Sequence, residues 1–514
     1  MLAPTLMVQG TASSVGKSLL VTALCRLFRR QGLRVAPFKA QNMSLNSAVT
    51  PGGLEIGRAQ AVQAEAAGVA AAVEMNPILL KPEGDARSQV VVLGKPMGSM
   101  TAVEYHGYKP QLRRVVADAL LGLREGYDLV VIEGAGSPAE INLKEHDLVN
   151  MDVARLADAP VLLVGDIDRG GVFASFVGTL ELLDPHERAL VAAFVVNKFR
   201  GDMALLKDGL DFLTRRTGKP VLGVVPYIRN LRIAEEDSTS LEDRAARRGS
   251  DRDQLNITVI RLPRISNHDD FEPLEHETGV VVRFVERAEE LRGADLVILP
   301  GSKNTVADLA WLRANGMFEA LKTRARNGEP VLGICGGCQM LGEEIEDPYG
   351  VESSEKRVAA LGLLPLKTRF AREKITAQIG ALALDASFLH HKRAAQEGLS
   401  GYEIHMGVVE RTRPCAIPFE IRTRNGREEQ ILEGAIDDTG AVVGTMIHGL
   451  FENDSVRNCL LAFLRKRKGL PDAASPRRIP AKEAEYDRLA AVVRAHLDYE
   501  LLQRVTGLNL VPPA

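Results

Sequence analysis

The sequence predicts an α/β protein with two successive units, each built on a mainly parallel β-sheet. Short buried apolar runs alternate with helical segments along most of the chain, which is the pattern of βαβ units. Two glycine-rich turns that link a strand to a helix carry Lys17 in the first half and Cys335 in the second. The length of 514 residues exceeds what one hydrophobic core usually supports, so more than one domain is expected.

The first unit is predicted to span residues 1–232. A helix is expected at 17–31, directly after the first glycine-rich turn. Its strands are expected at 6–9, 33–37, 129–133, 161–164, 193–197 and 220–225, because each is a short apolar run that ends in a polar or glycine-rich segment.

A charged stretch that is poor in apolar residues, 233–254, is predicted to be a linker. The second unit is expected at 255–453, with strands that begin near Ile257 and include 296–299 and 331–334. Residues 454–514 are predicted to be a helical tail, with helices at 456–466 and 481–505, packed on one of the two units.

Composition favours a cytoplasmic enzyme. The formal net charge is -3, so the basic excess typical of nucleic-acid binders is missing. Five cysteines, an odd and small number, fit a reducing compartment rather than a disulfide framework. The sequence contains no apolar run of the roughly 20 residues needed to cross a bilayer, so no membrane partner is expected. Whether the protein forms a homo-oligomer is left open.

The segment Gly10-Thr-Ala-Ser-Ser-Val-Gly16-Lys17-Ser18 lies between a predicted strand and a predicted helix, which is the setting of a phosphate-binding loop. Its backbone N–H groups and the helix N-terminus attract phosphate. Lys17 is expected to reach the β- and γ-phosphates of ATP, and the Ser18 hydroxyl to bind Mg²⁺. The predicted nucleotide-binding residues of the loop are Thr11, Ser14, Gly16, Lys17 and Ser18. The alternative is a turn that binds nothing.

Polar residues lie at the carboxyl ends of other predicted strands of the first unit. Glu133 ends the strand 129–133 and is predicted to be a second Mg²⁺ ligand, because this ion prefers carboxylate oxygens. The alternative is a solvated strand-end carboxylate. Asp166 and Asp168 also follow a strand, and the sequence leaves open whether they contact metal or substrate. Asn197, by its resemblance to related P-loop enzymes, is expected to read the nucleotide base.

The turn Gly333-Ile-Cys335-Gly336-Gly337-Cys338 joins a buried strand to a helix, which is the layout of a nucleophile elbow with sulfur in place of oxygen. A helix N-terminus favours the thiolate form of a cysteine. We therefore predict that Cys335 is a nucleophile. Backbone N–H groups of Gly336 and Gly301 are predicted to form an oxyanion hole.

His448 is predicted to be the base that acts with Cys335. The order of cysteine and histidine resembles class-I glutamine amidotransferase domains, which implies a flavodoxin-like fold and glutamine as a substrate. Many of those domains carry a carboxylate two residues after the histidine, where this chain has Leu450, so a Cys–His dyad is expected; whether Glu452 assists is left open. His405 and Glu403 are expected to shape the glutamine pocket. A redox use of Cys335 and Cys338 is the alternative.

Longer stretches resemble the cobyric acid synthase family of amide ligases in the cobalamin pathway. They are 36–50, 55–60, 75–82, 261–267, 299–305 and 401–407. The phosphate-binding loop also resembles that of the dethiobiotin-synthetase-like group of P-loop proteins, in which the two glycines have the same longer spacing as Gly10 and Gly16. The resemblance implies an ATP-dependent ligase that takes ammonia from glutamine and amidates the b, d, e and g carboxylates of adenosylcobyrinic acid a,c-diamide, giving adenosylcobyric acid.

Within this resemblance, a polar strand-end loop is expected to hold the corrinoid polycarboxylate. Gln41-Asn42 favours this family over its relative that makes the a,c-diamide. The predicted substrate-binding residues are Lys39, Gln41, Asn42, Ser44 and Asn46. A synthase that acts on the a and c carboxylates, another glutamine-dependent ligase of the same architecture, and a regulatory ATPase with an inactive amidotransferase-like domain are the alternative functions.

Overall fold

The computed structural model of the chain describes residues 2–84, 87–233, 253–384, 398–471 and 482–510. It contains two α/β halves, each with a six-stranded sheet. The predicted linker, 233–254, lies almost entirely outside the described residues. Within the residues described, no helix combines the length and apolar character that a membrane crossing requires.

The first half is built on a six-stranded parallel sheet whose strands are buried. All six predicted strands are present, with ends that differ from the prediction by at most two residues. Across the sheet their order is Val221–Pro226, Val191–Phe199, Val161–Asp166, Thr5–Gly10, Leu129–Glu133 and Val35–Phe38. Because the strands are parallel, their carboxyl ends share one edge, and this edge brings Gly10, Glu133, Asp166 and Asn197 together.

Helices cover both faces of this sheet. The helix predicted at 17–31 spans Lys17–Arg30 and buries apolar side chains such as Leu20, Leu24 and Phe28 against the strands. The other helices of this half are Arg58–Ala67, Ala102–Gly126, Met151–Ala157, Val172–Leu182, Pro185–Leu190 and Met203–Thr217, with single turns at Val73–Met75 and Lys144–His146.

Two small sheets that the sequence did not predict lie between the second strand and the helix Ala102–Gly126. One has four strands, Gln41–Met43, Ile78–Gly84, Arg87–Val92 and Lys95–Thr101. The other pairs Ser47–Val49 with Glu55–Gly57. They carry the polar loop after residue 39 towards the second half of the chain.

The second half contains a sheet of five parallel strands and one antiparallel edge strand. Its order is Val280–Val285, Leu255–Ile260, Leu296–Leu299, Val331–Ile334, Val442–Thr445 and Ala435–Ile436. The helices of this half are Glu272–Glu275, Thr305–Ala314, Met317–Arg326, Gly336–Leu341 and Asp454–Lys468, with single turns at His268–Phe271, Ala288–Leu291 and Leu450–Glu452.

A mixed, mostly antiparallel sheet packs beside it, and the sequence pattern did not predict this element. Its strands are Arg357–Ala359, Glu344–Glu346, Leu366–Ala383, Leu399–Arg411, Phe419–Arg424 and Arg427–Glu433. A short pair, Ile265–Ser266 with Gly301–Ser302, completes the half.

The C-terminal region contacts both halves of the chain, whereas it was predicted to pack on only one of them. Arg457, in the helix Asp454–Lys468, pairs with Glu277 of the second half at 2.7 Å. The segment predicted as one helix at 481–505 forms two, Lys482–Ala495 and Tyr499–Thr506. The first of these packs on the helix Lys17–Arg30, where Arg26 pairs with Glu483 and Asp487 at 2.6 Å each.

Candidate active site

The phosphate loop lies at the carboxyl edge of the first sheet. Gly16 has a φ of 96°, and a Cβ at this position would lie 2.2 Å from Nδ2 of Asn197, so only glycine fits. Lys17 Nζ donates hydrogen bonds to the carbonyl oxygens of Ala12 and Gly136, both at 3.1 Å. The ammonium group therefore lies over the loop, and Thr11 joins the loop to the sheet through a bond from its N–H to Val164.

The segment after the strand Val191–Phe199 supports this loop from the side. Asn197 Nδ2 donates to the carbonyl oxygen of Val15 at 2.8 Å, and Lys198 Nζ donates to that of Ser14 at 2.7 Å. Lys198 also pairs with Asp166 at 2.9 Å. The Asn197 amide that was predicted to read the nucleotide base thus uses its N–H group to hold the loop.

Asp166 and Asp168, whose roles the sequence left open, form ion pairs with cations next to the phosphate loop. Asp166 accepts the backbone N–H of Asp168 at 2.9 Å in addition to its pair with Lys198. Asp168 pairs with Arg200 at 3.2 Å, and the Arg200 guanidinium lies 3.7 Å from the ring centroid of Tyr227. Both carboxylates are therefore neutralised by cations beside the nucleotide loop.

Glu133 is fully buried beside Ser18. Its Oε1 accepts the Ser18 hydroxyl at 2.9 Å and pairs with Lys39 Nζ at 2.9 Å, while its Oε2 accepts Gln63. A hydroxyl and a carboxylate oxygen at this spacing are ligands that Mg²⁺ accepts. The described residues hold no cluster of three or more metal-binding side chains, so phosphate and water oxygens would have to complete the shell.

A cavity of about 1260 Å³ opens in front of the phosphate loop. Three of the predicted substrate residues line it, namely Lys39, Gln41 and Asn42. Ser44 and Asn46 are buried elsewhere: the Ser44 hydroxyl accepts the backbone N–H of Asn46 at 3.0 Å, and Asn46 Nδ2 is 2.8 Å from Nε2 of His268 in the second half. The structure thus separates the predicted stretch into a part that faces the cavity and a part that faces the other half.

The cavity wall combines cations with exposed apolar side chains. Met43 is 59% exposed and Leu143 is 49% exposed, and both line the cavity. The cationic residues of the lining include Lys109, Lys144, Arg169, Arg200, Arg229 and Arg232. Such a wall suits a large ligand with an apolar body and several anionic groups.

The Cys335 turn has the geometry of a nucleophile elbow. Cys335 has a φ of 53°, a strained conformation for a residue with a side chain, between the strand Val331–Ile334 and the helix Gly336–Leu341. A Cβ on Gly337 would lie 1.9 Å from the carbonyl oxygen of Leu299, so glycine is required for helix and strand to approach. Cys335 Sγ lies 3.5 Å from the carbonyl oxygen of Ile404.

Of the two glycines of the predicted oxyanion hole, Gly336 lies close to Ser302 and Gly301 lies close to His448. A Cβ built on Gly336 would lie 2.8 Å from the backbone nitrogen of Ser302, and one built on Gly301 would lie 3.2 Å from Cε1 of His448. The strand pair that contains Gly301 therefore approaches both the elbow and the histidine.

His448 is buried and hydrogen-bonds Asp270, whose Oδ2 lies 2.6 Å from Nδ1. Oδ1 of the same carboxylate accepts the backbone N–H of Gly449 at 3.0 Å, which fixes the carboxylate. Burial lowers the pKa of His448, but Asp270 and then Cys335 outweigh burial and raise the pKa to about 10. At neutral pH this geometry favours an imidazolium beside the sulfur.

The expected Cys–His dyad is therefore wrong, because a third residue, Asp270, supplies the carboxylate. It comes from the turn His268–Phe271 rather than from the segment that follows the histidine. Glu452 pairs with Lys482 at 3.1 Å and lies outside this arrangement. The signal for Asp270 was the acidic pair Asp269-Asp270 after the stretch 261–267, but spacing along the chain gave no link to His448.

The other residues predicted for this centre are Glu403 and His405, on the strand Leu399–Arg411 of the adjacent sheet, and Cys338, in the helix Gly336–Leu341. Glu403 is buried and pairs with Arg424 at 2.7 Å and with His405 at 3.8 Å. Cys335 and Cys338 are both free thiols. Burial raises the pKa of Cys338 well above its usual value, which disfavours a redox partnership between them.

Comparisons with known proteins agree with both centres. A model of the CobB/CobQ-like glutamine amidotransferase domain matches residues 256–456, and a model of the CobQ/CobB/MinD/ParA nucleotide binding domain matches residues 6–241. A protein from Sorangium cellulosum named cobyric acid synthase is 62% identical to the chain, covering 99% of this chain and 100% of its own length. One of the same name from Moorella thermoacetica is 51% identical, covering 99% and 98%. Since these identities extend over 99% of the chain, the chain belongs to the cobyric acid synthase family.

Proposed function

We propose that the protein is a glutamine-dependent ligase that amidates peripheral carboxylates of a corrinoid acid at the expense of ATP. The observation that carries this proposal is the presence, in one chain of this family, of the Lys17 phosphate loop with Glu133 and of the Cys335–His448–Asp270 group. Of the corrin carboxylates, b, d, e and g of adenosylcobyrinic acid a,c-diamide are the proposed sites.

In the second half, Cys335 attacks the side-chain amide carbon of glutamine. A carbon–sulfur bond forms, and the oxyanion is placed for the N–H groups of Gly301 and Gly336. His448 gives its proton to the leaving nitrogen, so ammonia departs and a glutamyl thioester remains. A water molecule, deprotonated by His448, then releases glutamate and the thiol. Asp270 holds the imidazole in the orientation that both transfers need.

In the first half, a carboxylate oxygen of the corrinoid attacks the γ-phosphorus of ATP, and ADP leaves. Lys17 and the loop N–H groups, including those at Ser14 and Gly16, stabilise charge on the transferred phosphoryl group. Ser18 and Glu133 would hold Mg²⁺, which when bound neutralises phosphate charge. Ammonia then attacks the acyl phosphate, the amide forms and phosphate leaves.

The cavity side chains provide the substrate contacts in this proposal. Lys39, which pairs with Glu133 beside the phosphate loop, and Gln41 and Asn42, which line the same cavity, would contact the carboxylate that is activated. Of the cations of the cavity wall, Lys109, Arg229 and Arg232 would pair with the other carboxylates, and Met43 and Leu143 would contact the macrocycle. Ammonia must reach this place without protonation in bulk water, which is consistent with the buried contacts between the halves.

The test uses the purified full-length protein with ATP, Mg²⁺, glutamine and adenosylcobyrinic acid a,c-diamide. The expected result is four successive conversions of carboxyl to amide by mass spectrometry, each accompanied by ADP and glutamate. A second mixture contains cobyrinic acid as its corrinoid; if only this one is amidated, at a and c, the alternative synthase is correct. If the protein consumes no ATP with either corrinoid, the proposed function is wrong.

A further inference from the structure

Arg58 belongs to the first half of the chain, but its guanidinium group lies among residues of the second half. It begins the helix Arg58–Ala67. Its Nε lies 2.7 Å from Oδ2 of Asp269, and its Nη2 donates to the hydroxyl of Tyr402 at 2.6 Å. The side chain of Arg58 is 19% exposed and that of Asp269 is 8% exposed, so this ion pair is largely shielded from water.

Both partners of Arg58 are neighbours of the His448–Asp270 pair. The Tyr402 ring stacks on the His448 imidazole, with centroids 5.1 Å apart and planes inclined by 13°. The backbone N–H of each residue also donates to the carbonyl oxygen of the other, at 3.1 and 2.9 Å. Asp269 directly precedes Asp270. One guanidinium group therefore fixes the ring that covers the imidazole and the turn that orients it.

The same residue is tied to the polar loop that begins at the cavity. The backbone N–H of Arg58 donates to the carbonyl oxygen of Asn46 at 3.2 Å. The Asn46 side chain contacts His268, in the same short turn as Asp270. On the cavity side, Asn42 donates to Gln60, in the helix that Arg58 begins, at 3.0 Å. Arg58 thus lies between the cavity loop and the turn of Asp270.

We propose that Arg58 is a positioning residue for the glutaminase reaction, supplied to that centre by the ligase half. The inference rests on the proposed function. Its planar fork binds Tyr402 and Asp269 at once, a geometry that a single-point cation such as lysine does not reproduce. Without it, Asp269 keeps a shielded negative charge that has lost its cation, and the turn that carries Asp270 is free to shift. Glutamine hydrolysis therefore requires that the ligase half be docked.

The test compares Arg58→Ala with the wild-type full-length protein in three assays: glutamate release from glutamine, amide formation with glutamine, and amide formation with added ammonia. Because small displacements of catalytic groups can cost about 100-fold, we expect a loss of that order in kcat for glutamate release. Ammonia-dependent synthesis should be unchanged. Guanidinium chloride at non-denaturing concentration should restore part of the glutaminase activity, which a merely structural role would not produce.

Lys374→Met is the matched control. Lys374 forms another buried ion pair between the halves, with Glu55, and Glu55 keeps Lys81 as a second partner when Lys374 is removed. This variant should keep its glutaminase activity. A loss in Lys374→Met as large as in Arg58→Ala would mean that any weakening of the interface has the same effect, and the assignment of Arg58 would be wrong.

Tyr402→Phe tests the contact between Arg58 and Tyr402 from the other side. It also covers the case in which Arg58→Ala does not fold. It keeps the ring on His448 and removes the hydroxyl, which accepts Arg58 and Asn267 and lies 3.5 Å from Oδ1 of Asp270. Glutamate release should fall, and the effects of Arg58→Ala and Tyr402→Phe should combine to less than their sum in the double variant, since both remove the contact between Arg58 and Tyr402. Normal glutaminase in Tyr402→Phe would overturn the inference, and so would loss of ammonia-dependent synthesis together with glutaminase in an Arg58→Ala protein that melts like the wild type. Absence of glutamate release by the wild type would instead reject the proposed function.

Discussion

Oδ2 of Asp270 lies 2.6 Å from Nδ1 of His448, although 178 residues separate them in the sequence. The carboxylate reaches the imidazole because the turn His268–Phe271 follows the short strand Ile265–Ser266, which pairs with Gly301–Ser302 beside the elbow. The orientation of the histidine thus depends on strand pairing between distant segments.

Asp270→Asn should lower glutamate release on the order of 10²- to 10⁴-fold, since an amide holds the imidazole in the wrong tautomer. Ammonia-dependent synthesis should remain. The loss of the carboxylate also removes the main cause of the raised pKa of His448, which is about 10. Protonated His448 should therefore be lost at lower pH, and the alkaline limb of the glutaminase pH profile should move down. Glu452→Gln is the control and should leave the profile unchanged.

Cys335→Ala should abolish glutamine-dependent synthesis and glutamate release, because no other thiol lies at the elbow position. Synthesis with added ammonia should continue, since the first half keeps its nucleotide loop. Cys338→Ala is the matched control, a buried thiol of the same turn, and should keep both activities. Survival of glutamate release in Cys335→Ala would show that the nucleophile is another residue.

Lys17→Ala should reduce amide synthesis by more than about 100-fold with either nitrogen source, because it removes a preorganised charge from the transferred phosphoryl group. Glutamate release should persist in this variant. The measurement is ADP formation in the presence of the corrinoid acid. Lys207→Ala, on the exposed face of the helix Met203–Thr217, should behave as the wild type. Normal ADP formation in Lys17→Ala would contradict the assignment of the phosphate loop.

Glu55→Gln should destabilise the protein by roughly 3–5 kcal/mol, because it leaves the buried Lys81 and Lys374 without their shared carboxylate. Burial raises the pKa of Glu55, but Lys374 and Lys81 outweigh burial and hold it well below its usual 4.5. The ionised carboxylate therefore stabilises the fold above about pH 4.5, and this contribution is lost as the pH falls.

Calorimetric melting at several pH values measures this effect. Glu55→Gln should melt earlier than the wild type at pH 7 and show a weaker loss of stability towards acid pH. The control is Glu329→Gln, because Glu329 is 42% exposed in its pair with Arg324 and should matter little. Equal melting of Glu55→Gln and wild type at pH 7 would show that the buried ion pairs contribute nothing.

The strands of the first sheet and the two glycine-rich turns were predictable because their signals are local. A buried parallel strand is a short apolar run, and a phosphate loop or an elbow is defined by a few consecutive residues. The mostly antiparallel sheet between Glu344 and Glu433 was missed, because its long strands mix exposed and buried positions and carry no glycine-rich motif. The break between the last two helices was missed because both segments have a helical composition.

The sequence by itself determined the fold class and the two glycine-rich turns, which depend on residue types at fixed local spacing, and it indicated the family through the resemblance of longer stretches. Only the tertiary structure decided which groups complete the centres. Asp270 joins His448, Arg58 reaches Tyr402, and Asn46 turns towards His268 rather than the cavity. Each contact joins segments far apart in the chain, and the relative position of such segments is set by packing and strand pairing, which local spacing does not encode.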